Sequence, residues 1–269
     1  MLSKSNLKKI TTLKTKKIRT QRQLFLIEGL RNCYEALQSD FVVETLLVQA
    51  NKSSKEITEL VEFASAQNTE IINISDAEKK VLAETVHSQG IFCVVQQKPF
   101  SIDSINKKES EFIVIIDSGQ DPGNLGTIIR TCDWFGVDVV ILGKGNVELY
   151  NPKVVRSTMG SIFHLPVVEN VDLEHFLPDI KQMEFRIFAA DVAGQTPYFE
   201  VNYSKPLALI LGNENKGIDK KFIPFVDEMI YIPSFGKAES LNLASAGAVL
   251  ISEVALRKLC TGDFEKTKY

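Results

Sequence analysis

Three polar stretches of the chain carry residue types that can hold a small ligand and position a hydroxyl group. They are Asp117–Arg130, Leu209–Ile218 and Ile232–Asn242. The first two each follow an apolar run and open into a turn rich in Gly, Asn and Asp. The third leads into a helix of small residues, and the free N–H groups at a helix start can bind polar atoms of a ligand. The pattern indicates a binding site built from loops.

The third stretch predicts a helix whose first turn borders the loop. Ser240 is the predicted N-cap, and small or apolar residues follow it at helical spacing. These residues are Ala244, Gly247, Ala248, Ile251 and Ala255. Such a face allows another backbone to approach closely. An ordinary capped helix of the core has the same pattern, so this stretch alone does not establish a ligand site.

The composition is that of a globular protein with one large or two ordinary domains. The chain has 269 residues, of which 44% are hydrophobic and 24% are charged. No apolar run approaches the roughly 18 residues of a membrane span and no signal segment is evident, so we expect a cytoplasmic protein without a membrane partner. The four cysteines form no C-x-x-C pair and the three histidines have no metal-ligand spacing. Neither a disulfide framework nor a metal site is expected.

Basic charge is concentrated in the first 22 residues. They contain eight Lys and Arg residues and no acidic residue, whereas the remaining 247 carry 23 basic and 34 acidic side chains. A block of this kind suits binding to a phosphate backbone. A solvated, partly disordered arm explains the charge equally well. A transit peptide is a third option, but such segments favour Arg over Lys.

Residues 24–97 alternate short apolar runs with amphipathic segments, which predicts a small α/β domain. The predicted elements are Leu24–Glu28, Leu30–Leu37, Val42–Val48, Ser54–Ala66, Glu70–Ile74, Asp76–Glu84 and Ile91–Gln96. Residues 98–110 are polar, contain Pro99 and lack periodicity, so they are predicted to form a linker. The expected division is residues 1–97, the linker 98–110, and a second domain at residues 111–269.

The second domain contains five short apolar runs of the kind that buried parallel strands show. They are Phe112–Ile116, Val139–Leu142, Arg186–Ala190, Leu207–Leu211 and Met229–Ile232. Helical segments separate them, which predicts a doubly wound α/β sheet. Ligands bind such sheets at the carboxyl ends of the strands, where all three polar stretches lie. A G-x-G-x-x-G fingerprint is absent, which argues against an ordinary dinucleotide site.

The three stretches contain three short motifs in a fixed order. They read N-x-G-x-x-x-R at Asn124–Arg130, G-x-E-x-x-G at Gly212–Gly217 and I-P…S-L-N at Ile232–Asn242. This set resembles the signature motifs of the SpoU/TrmH family of RNA 2′-O-ribose methyltransferases, in the SPOUT superfamily. The second motif has Asn213 and Asn215–Lys216 where the family often has smaller residues, which leaves the motif itself intact.

The resemblance implies a fold and an activity. The fold is a parallel-sheet SPOUT domain tied into a trefoil knot, an exception to the rule that chains do not thread loops. A small α/β RNA-binding domain precedes it, and the pattern F-x-x-E-G that ends at Gly29 resembles that domain. The implied activity is methylation of a ribose 2′-hydroxyl in RNA, with ribosomal RNA favoured, by a homodimer that uses S-adenosyl-L-methionine.

The resemblance also implies roles for individual residues. Backbone groups of the second and third motifs are expected to bind the cofactor, and the catalytic positions are drawn from all three motifs. The cofactor-binding residues are Leu211, Gly212, Asn213, Ile232, Ser240, Leu241 and Asn242, and the catalytic residues are Arg130, Asn124, Glu214 and Asn242. The methyl transfer itself requires no metal.

Arg130 is the residue on which we expect catalysis to depend most. Its guanidinium is a poor general base, so we expect it to stabilise the developing alkoxide while an RNA phosphate takes the proton. Asn124 and Glu214 are expected to orient Arg130 or the substrate, although Glu214 also suits a helix-capping role. Asn242 and Ser240 are expected to hold the ribose or the cofactor.

Three other functions remain open at this point. The RNA can be transfer RNA rather than ribosomal RNA. The chain can be a non-catalytic RNA-binding or ribosome-assembly protein, although the presence of Arg130, Glu214 and Asn242 argues against this. A small-molecule α/β enzyme is disfavoured by the missing dinucleotide fingerprint and by the basic arm.

Overall fold

The structure is a computed structural model, which describes residues 2–102, 105, 110–204 and 206–260. These residues form two compact units. The first unit comprises the described residues up to Pro99 together with Glu148–His164, and the second comprises the rest. Residues 148–164, which our sequence division assigns to the second domain, therefore pack with the first unit. Part of the predicted linker, at 103, 104 and 106–109, lies outside the described residues.

The first unit is built on a four-stranded sheet with strand order β1-β4-β2-β3. Strands β2 and β3 are parallel, and the other pairs are antiparallel. The elements that precede residue 100 are α1 (Lys4–Thr11), α2 (Lys16–Arg22), β1 (Leu24–Glu28), α3 (Leu30–Gln38), β2 (Val43–Gln49), α4 (Lys55–Ala66), β3 (Glu70–Ile74), α5 (Asp76–Leu82) and β4 (Ile91–Gln96). All seven elements predicted for this region are present, with ends shifted by at most two residues.

The basic arm is folded into the first unit. It forms α1 and α2, so the reading of a partly disordered arm is wrong for the described residues. Arg19 is only 2% exposed; its guanidinium makes a bidentate ion pair with Glu148, at 2.9 and 2.6 Å, and donates to the carbonyl oxygens of Leu13 and Lys14. Arg19 is therefore a structural residue and not a free RNA contact.

The second part of the chain adds a seven-stranded sheet with strand order β7-β6-β5-β10-β8-β11-β9. Every pairing in it is parallel. The elements are β5 (Phe112–Ile116), α6 (Pro122–Trp134), β6 (Val139–Gly143), α7 (Pro152–Thr158), β7 (Val167–Val171), α8 (Leu173–Gln182), β8 (Arg186–Ala190), β9 (Thr196–Pro197), β10 (Leu207–Leu211), β11 (Glu228–Tyr231) and α9 (Leu243–Cys260). Helix α7 belongs to the first unit.

The five predicted strands of this sheet are present, with two differences. The last strand ends at Tyr231, so Ile232 lies in the following loop, and two strands, β7 and the two-residue β9, were not predicted. Residues 169 and 170 of β7 are exposed, which interrupts the apolar run that marks the other strands. The central strands β5, β6 and β10 are buried along their whole length, as expected for a sheet covered on both faces.

The strand register brings the polar loops to one edge of the sheet. Ile116 pairs with Leu142 on one side and with Leu211 on the other, and Leu211 pairs with Ala190. The carboxyl ends of β5, β6, β8 and β10 are therefore level. Because the three motifs follow β5, β10 and β11, this edge of the sheet gathers the motif-bearing loops.

Candidate functional site

The first motif lies at the beginning of α6. Asp121 is the N-cap, and its carboxylate accepts a hydrogen bond from the Asn124 N–H at 2.8 Å. Pro122 occupies the first helical position, where its missing N–H costs nothing. The cap and the proline fix the start of the helix, so the Asn124 side chain is held in the first turn beside the loop edge.

The polar side chains of the three motifs form one hydrogen-bonded network. The Asn124 Nδ2 donates to Glu214 Oε1 at 3.2 Å, and the Asn242 Nδ2 donates to Asn124 Oδ1 at 2.9 Å. The other Glu214 oxygen accepts a longer bond, at 3.5 Å, from the Gln120 N–H. Glu214 thus joins two loops rather than capping a helix. Three of the four predicted catalytic residues are in contact.

Asn242 also caps the last helix. Its Oδ1 accepts the Ala244 N–H at 2.9 Å and, at 3.4 Å, the Ser245 N–H. Helix α9 begins at Leu243, so the prediction of Ser240 as N-cap is wrong: Ser240 is exposed and lies before the helix. Asn242 uses its oxygen for the cap and its amide hydrogens for Asn124, which ties the helix to the network.

The second motif is a tight loop at the end of β10. A Cβ added to Gly212 would lie 2.5 Å from the backbone carbon of Gly217, so only glycine fits. The Asn213 Oδ1 accepts the N–H groups of Asn215 and Lys216, and its Nδ2 donates to the Ser118 carbonyl at 2.7 Å. These contacts hold the loop against the first motif and determine where Glu214 lies.

The third motif contains a stretch of backbone whose hydrogen-bonding groups have no backbone partner among the described residues. In the described part of the chain, residues 233–241 form no hydrogen bond with other backbone groups, and Leu241 is 50% exposed. Ile232 is the first residue after β11, and Leu211 is the last residue of β10. Free main-chain groups beside apolar side chains suit a ligand with a heterocyclic base, so the predicted cofactor residues fit S-adenosylmethionine chemically.

Arg130 lies apart from the network. Its side chain is exposed and has no ion-pair or hydrogen-bond partner among the described residues, whereas Gly126 one turn earlier is buried. Arg130 lies six positions after Asn124, which on an α-helix places the two residues roughly 120° apart around the axis and about 9 Å apart along it. The structure therefore does not bring Arg130 to the other three predicted catalytic residues within one chain.

Sequence reasoning missed two residues that hold the loops in place. The Asn146 Nδ2 donates to the carbonyl oxygens of Ile116, Asp117 and Gly143 at 2.8–3.0 Å, and its Oδ1 accepts the Gly119 N–H. Asp191, after β8, accepts the N–H groups of Ala193 and Ile218. A side chain that hydrogen-bonds to a distant loop leaves no local pattern beyond its place after a buried strand.

The part of the chain that the structure describes contains neither a metal-binding cluster nor a membrane-spanning helix. No group of three or more His, Cys, Asp and Glu side chains is arranged to hold a metal ion there. None of the described helices is both long and apolar enough to cross a membrane.

Two parts of the chain match known protein families. Residues 111–252 match the family model described as the SpoU rRNA Methylase family, and residues 4–93 match the MRM3-like substrate binding domain. The chain belongs to the SpoU rRNA methylase family. Membership confirms the predicted family and the predicted class of enzyme.

Individual relatives agree with this assignment. The chain is 36% identical to the 23S rRNA (guanosine(2553)-2′-O)-methyltransferase RlmP of Bacillus subtilis, over 89% of this chain and 91% of that protein. It resembles the SpoU methyltransferase AviRb of Streptomyces viridochromogenes in complex with AdoMet, with a TM-score of 0.87, 26% identity and coverage of 96% and 99%. An AdoMet-bound rRNA methyltransferase of Sinorhizobium meliloti gives a TM-score of 0.86 at 28% identity, with coverage of 96% and 97%.

Proposed function

We propose that this protein transfers a methyl group from S-adenosylmethionine to a ribose 2′-hydroxyl of ribosomal RNA. The observation that carries the proposal is the hydrogen-bonded network of Asn124, Glu214 and Asn242, because it unites the three family motifs at the carboxyl edge of the sheet. The relative RlmP methylates a guanosine of 23S rRNA, and a guanosine ribose of the same RNA is the proposed target here.

S-adenosylmethionine supplies an electrophilic methyl group on a sulfonium. The residues that would hold it are Leu211, Gly212 and Asn213 after β10, and Ile232, Ser240, Leu241 and Asn242 after β11. The free backbone of residues 233–241 binds the polar edge of the base, and the loops exclude water from the reacting atoms. Asn124 and Glu214 position the ribose hydroxyl, since an amide and a carboxylate offer it both a donor and an acceptor.

Arg130 acts in this proposal from a second copy of the chain. It stabilises the alkoxide that forms as the ribose hydroxyl loses its proton to an RNA phosphate. Two observations support a homodimer: Arg130 is exposed without a partner among the described residues, and Trp134, one turn away on the same face of α6, is 66% exposed. An exposed tryptophan beside an arginine is typical of an interface centre.

The first unit supplies the RNA affinity. Exposed basic residues of α1 and α2 face solvent, namely Lys4, Lys8, Lys9, Lys16, Lys17 and Arg22. They neutralise backbone phosphates without reading sequence. The activity is proposed to be cytoplasmic, where ribosomal RNA is available, and the trefoil knot and the domain boundaries stay predictions.

Transfer of labelled methyl from S-adenosylmethionine to separated ribosomal and transfer RNA tests the proposal. Nuclease digestion then locates the label on ribose or base. We expect label on a ribose of 23S rRNA. Label on transfer RNA would show that transfer RNA, and not ribosomal RNA, is the substrate. Label on a base would refute ribose methylation. Cofactor binding without any transfer would favour a non-catalytic role.

The Arg130→Ala variant tests the catalytic assignment. We expect methyl transfer to fall at least a hundredfold, as for loss of other groups that stabilise an oxyanion, while RNA and cofactor binding are kept. Lys181→Ala, which removes a partly exposed charge paired with Asp227, is the control for loss of a positive charge elsewhere on the second unit. Mixing Arg130→Ala with a Glu214→Ala variant tests the dimer, because only a site shared between copies regains activity in the mixture.

A further inference from the structure

A pocket next to the proposed active site is not used by the mechanism. It has a volume of about 420 Å³ and lies at the carboxyl ends of β5, β6 and β10, beside the start of α8. It contains none of the residues assigned to the cofactor after β11, and Asn213 is the one cofactor-assigned residue in its wall. The pocket therefore adjoins the proposed cofactor site at Asn213 and shares no other residue with it.

Four lysines surround this pocket, and they differ in how they are paired. Lys144 is paired with Asp172 at 2.6 Å, and Lys221 is paired with Glu174 at 2.8 Å. Lys216 and Lys220 are exposed and have no ion-pair partner in the described part of the chain. Two free ammonium groups at the rim of a cavity provide what a phosphate group requires, whereas the paired lysines are already neutralised.

A buried carboxylate lies in the wall of the same cavity. Asp117 is 8% exposed, and among the described residues its side chain makes one hydrogen bond, accepting the Asp219 N–H at Oδ2 at 3.3 Å. Burial raises the pKa of Asp117, and the nearby Asp219 carboxylate raises it further, although the Asp219 N–H and Lys221 act in the opposite direction. A desolvated carboxylate with capacity to accept further hydrogen bonds favours a ligand that brings N–H donors into the pocket.

The pocket is continuous in sequence with the proposed active site. Asn213 and Ser118 line the pocket, and Asn213 Nδ2 donates to the Ser118 carbonyl at 2.7 Å. The next residue, Glu214, belongs to the network with Asn124. The pocket therefore lies beside the network, where a unit of a polymer adjoining the one bound at the network can reach it.

We propose that this pocket binds a nucleotide of the RNA substrate that neighbours the methylated one, with its phosphate on Lys216 and Lys220 and a guanine base on Asp117. The inference rests on the RNA substrate of the proposed function. Guanine presents two adjacent N–H donors on its Watson–Crick edge, which match the two oxygens of a carboxylate. Single-stranded bases are commonly recognised on this edge by proteins.

RNA binding measured without cofactor tests the subsite independently of methyl transfer. The probes are fluorescein-labelled RNA decamers of alternating G and A or alternating U and A, and the readout is the dissociation constant from fluorescence anisotropy. We expect the GA decamer to bind the wild type about tenfold more tightly, within the range of a good bidentate contact. Asp117→Asn, which keeps the acceptor for the Asp219 N–H but presents an amide, should abolish this preference.

The lysines give a second, independent measurement. Lys216→Ala with Lys220→Ala should weaken binding of both decamers and reduce the slope of log Kd against log salt by about 0.7, the value for one phosphate of a single strand. Both side chains are exposed, so this variant tests the subsite even if Asp117→Asn does not fold. Lys181→Ala controls for the loss of charge elsewhere on the second unit.

Three outcomes would overturn the inference. They are a guanine preference that survives Asp117→Asn, a salt slope that the lysine pair does not change, and guanosine monophosphate binding that depends on these residues while RNA binding does not. The last would assign the pocket to a free nucleotide. If the wild type methylates RNA and any of these outcomes is found, only the subsite proposal is refuted. If the binding pattern is as expected but no methyl transfer occurs, only the catalytic proposal is refuted.

Discussion

Replacing Asn124 with aspartate removes its hydrogen bond to Glu214 and leaves the one from Asn242 intact. In the native chain the Asn124 Nδ2 donates to Glu214 Oε1 at 3.2 Å, while its Oδ1 accepts from the Asn242 amide at 2.9 Å. Aspartate has nearly the same shape and still accepts from Asn242. It places a second carboxylate oxygen against Glu214, so attraction becomes repulsion.

The size of this repulsion follows from the distance. Two unit charges 3.2 Å apart repel by about 5 kcal/mol at an effective dielectric of about 20 and by about 1.3 kcal/mol in bulk water. Both side chains are partly exposed, so we expect Asn124→Asp to lower the free energy of unfolding by about 1–3 kcal/mol at pH 8. The penalty requires both carboxylates to be ionised, and their mutual repulsion makes one of them take up a proton more readily than an isolated carboxyl, so the penalty shrinks between pH 8 and pH 5.

Urea unfolding of the variant at pH 5 and pH 8 measures this dependence. Asn124→Ala is the matched control, because it removes both hydrogen bonds without adding charge and its loss of about 1–3 kcal/mol should not vary with pH. The double variant Asn124→Asp with Glu214→Gln should recover most of the loss at pH 8. Equal destabilisation at both pH values, or no recovery in the double variant, would refute the contact between the two motifs.

Three further predictions concern stability. Gly212→Ala should destabilise the fold by about 2 kcal/mol or more, because its Cβ would lie 2.5 Å from Gly217 backbone, whereas Gly236→Ala, with open space around it, should change thermal stability little. Arg19→Ala should cost about 3–5 kcal/mol in urea unfolding because it leaves Glu148 unpaired, and the exposed control Lys8→Ala should cost under about 0.5 kcal/mol. Asp117→Asn should raise the urea midpoint at pH 7.5, because burial raises the pKa of that carboxyl and its ionised form therefore opposes folding. The gain in the midpoint should shrink toward pH 4, where the carboxyl is protonated. A gain that grows at low pH would contradict burial as the cause.

The sequence was sufficient to predict most strands and the meeting of the motifs. Strands such as β5 and β10 are buried on both faces, so each appears as an unbroken apolar run between turn residues. Since parallel strands carry their following loops to one edge, the contact of Asn124 with Glu214 follows from the order of motifs and strands. Strand β7 was not predicted because two of its five residues are exposed, so it lacks an unbroken apolar run.

The features that sequence reasoning missed depend on contacts distant along the chain. The N-cap of α9 is Asn242 and not the predicted Ser240, because the Asn242 side chain hydrogen-bonds both to the first turn of α9 and to Asn124. Arg19 looked like one more cation in a basic block, yet its partner Glu148 lies 129 residues away. No periodic pattern in the local sequence indicates an ion pair between residues so far apart along the chain.

The discontinuity of the first unit has a consequence for how the protein is made. Phe25 in β1 is fully buried, and its ring lies against Tyr150 at 4.5 Å and Phe163 at 6.3 Å between centroids. A ribosome adds roughly 5–20 residues per second. The stretch from Pro99 to His164 therefore reaches the growing chain about 3–13 s after the rest of the unit. During that interval Phe25 has no aromatic cover from this segment, so nascent chains halted near residue 100 should be substrates for chaperones and proteases, whereas those halted beyond residue 164 should resist them.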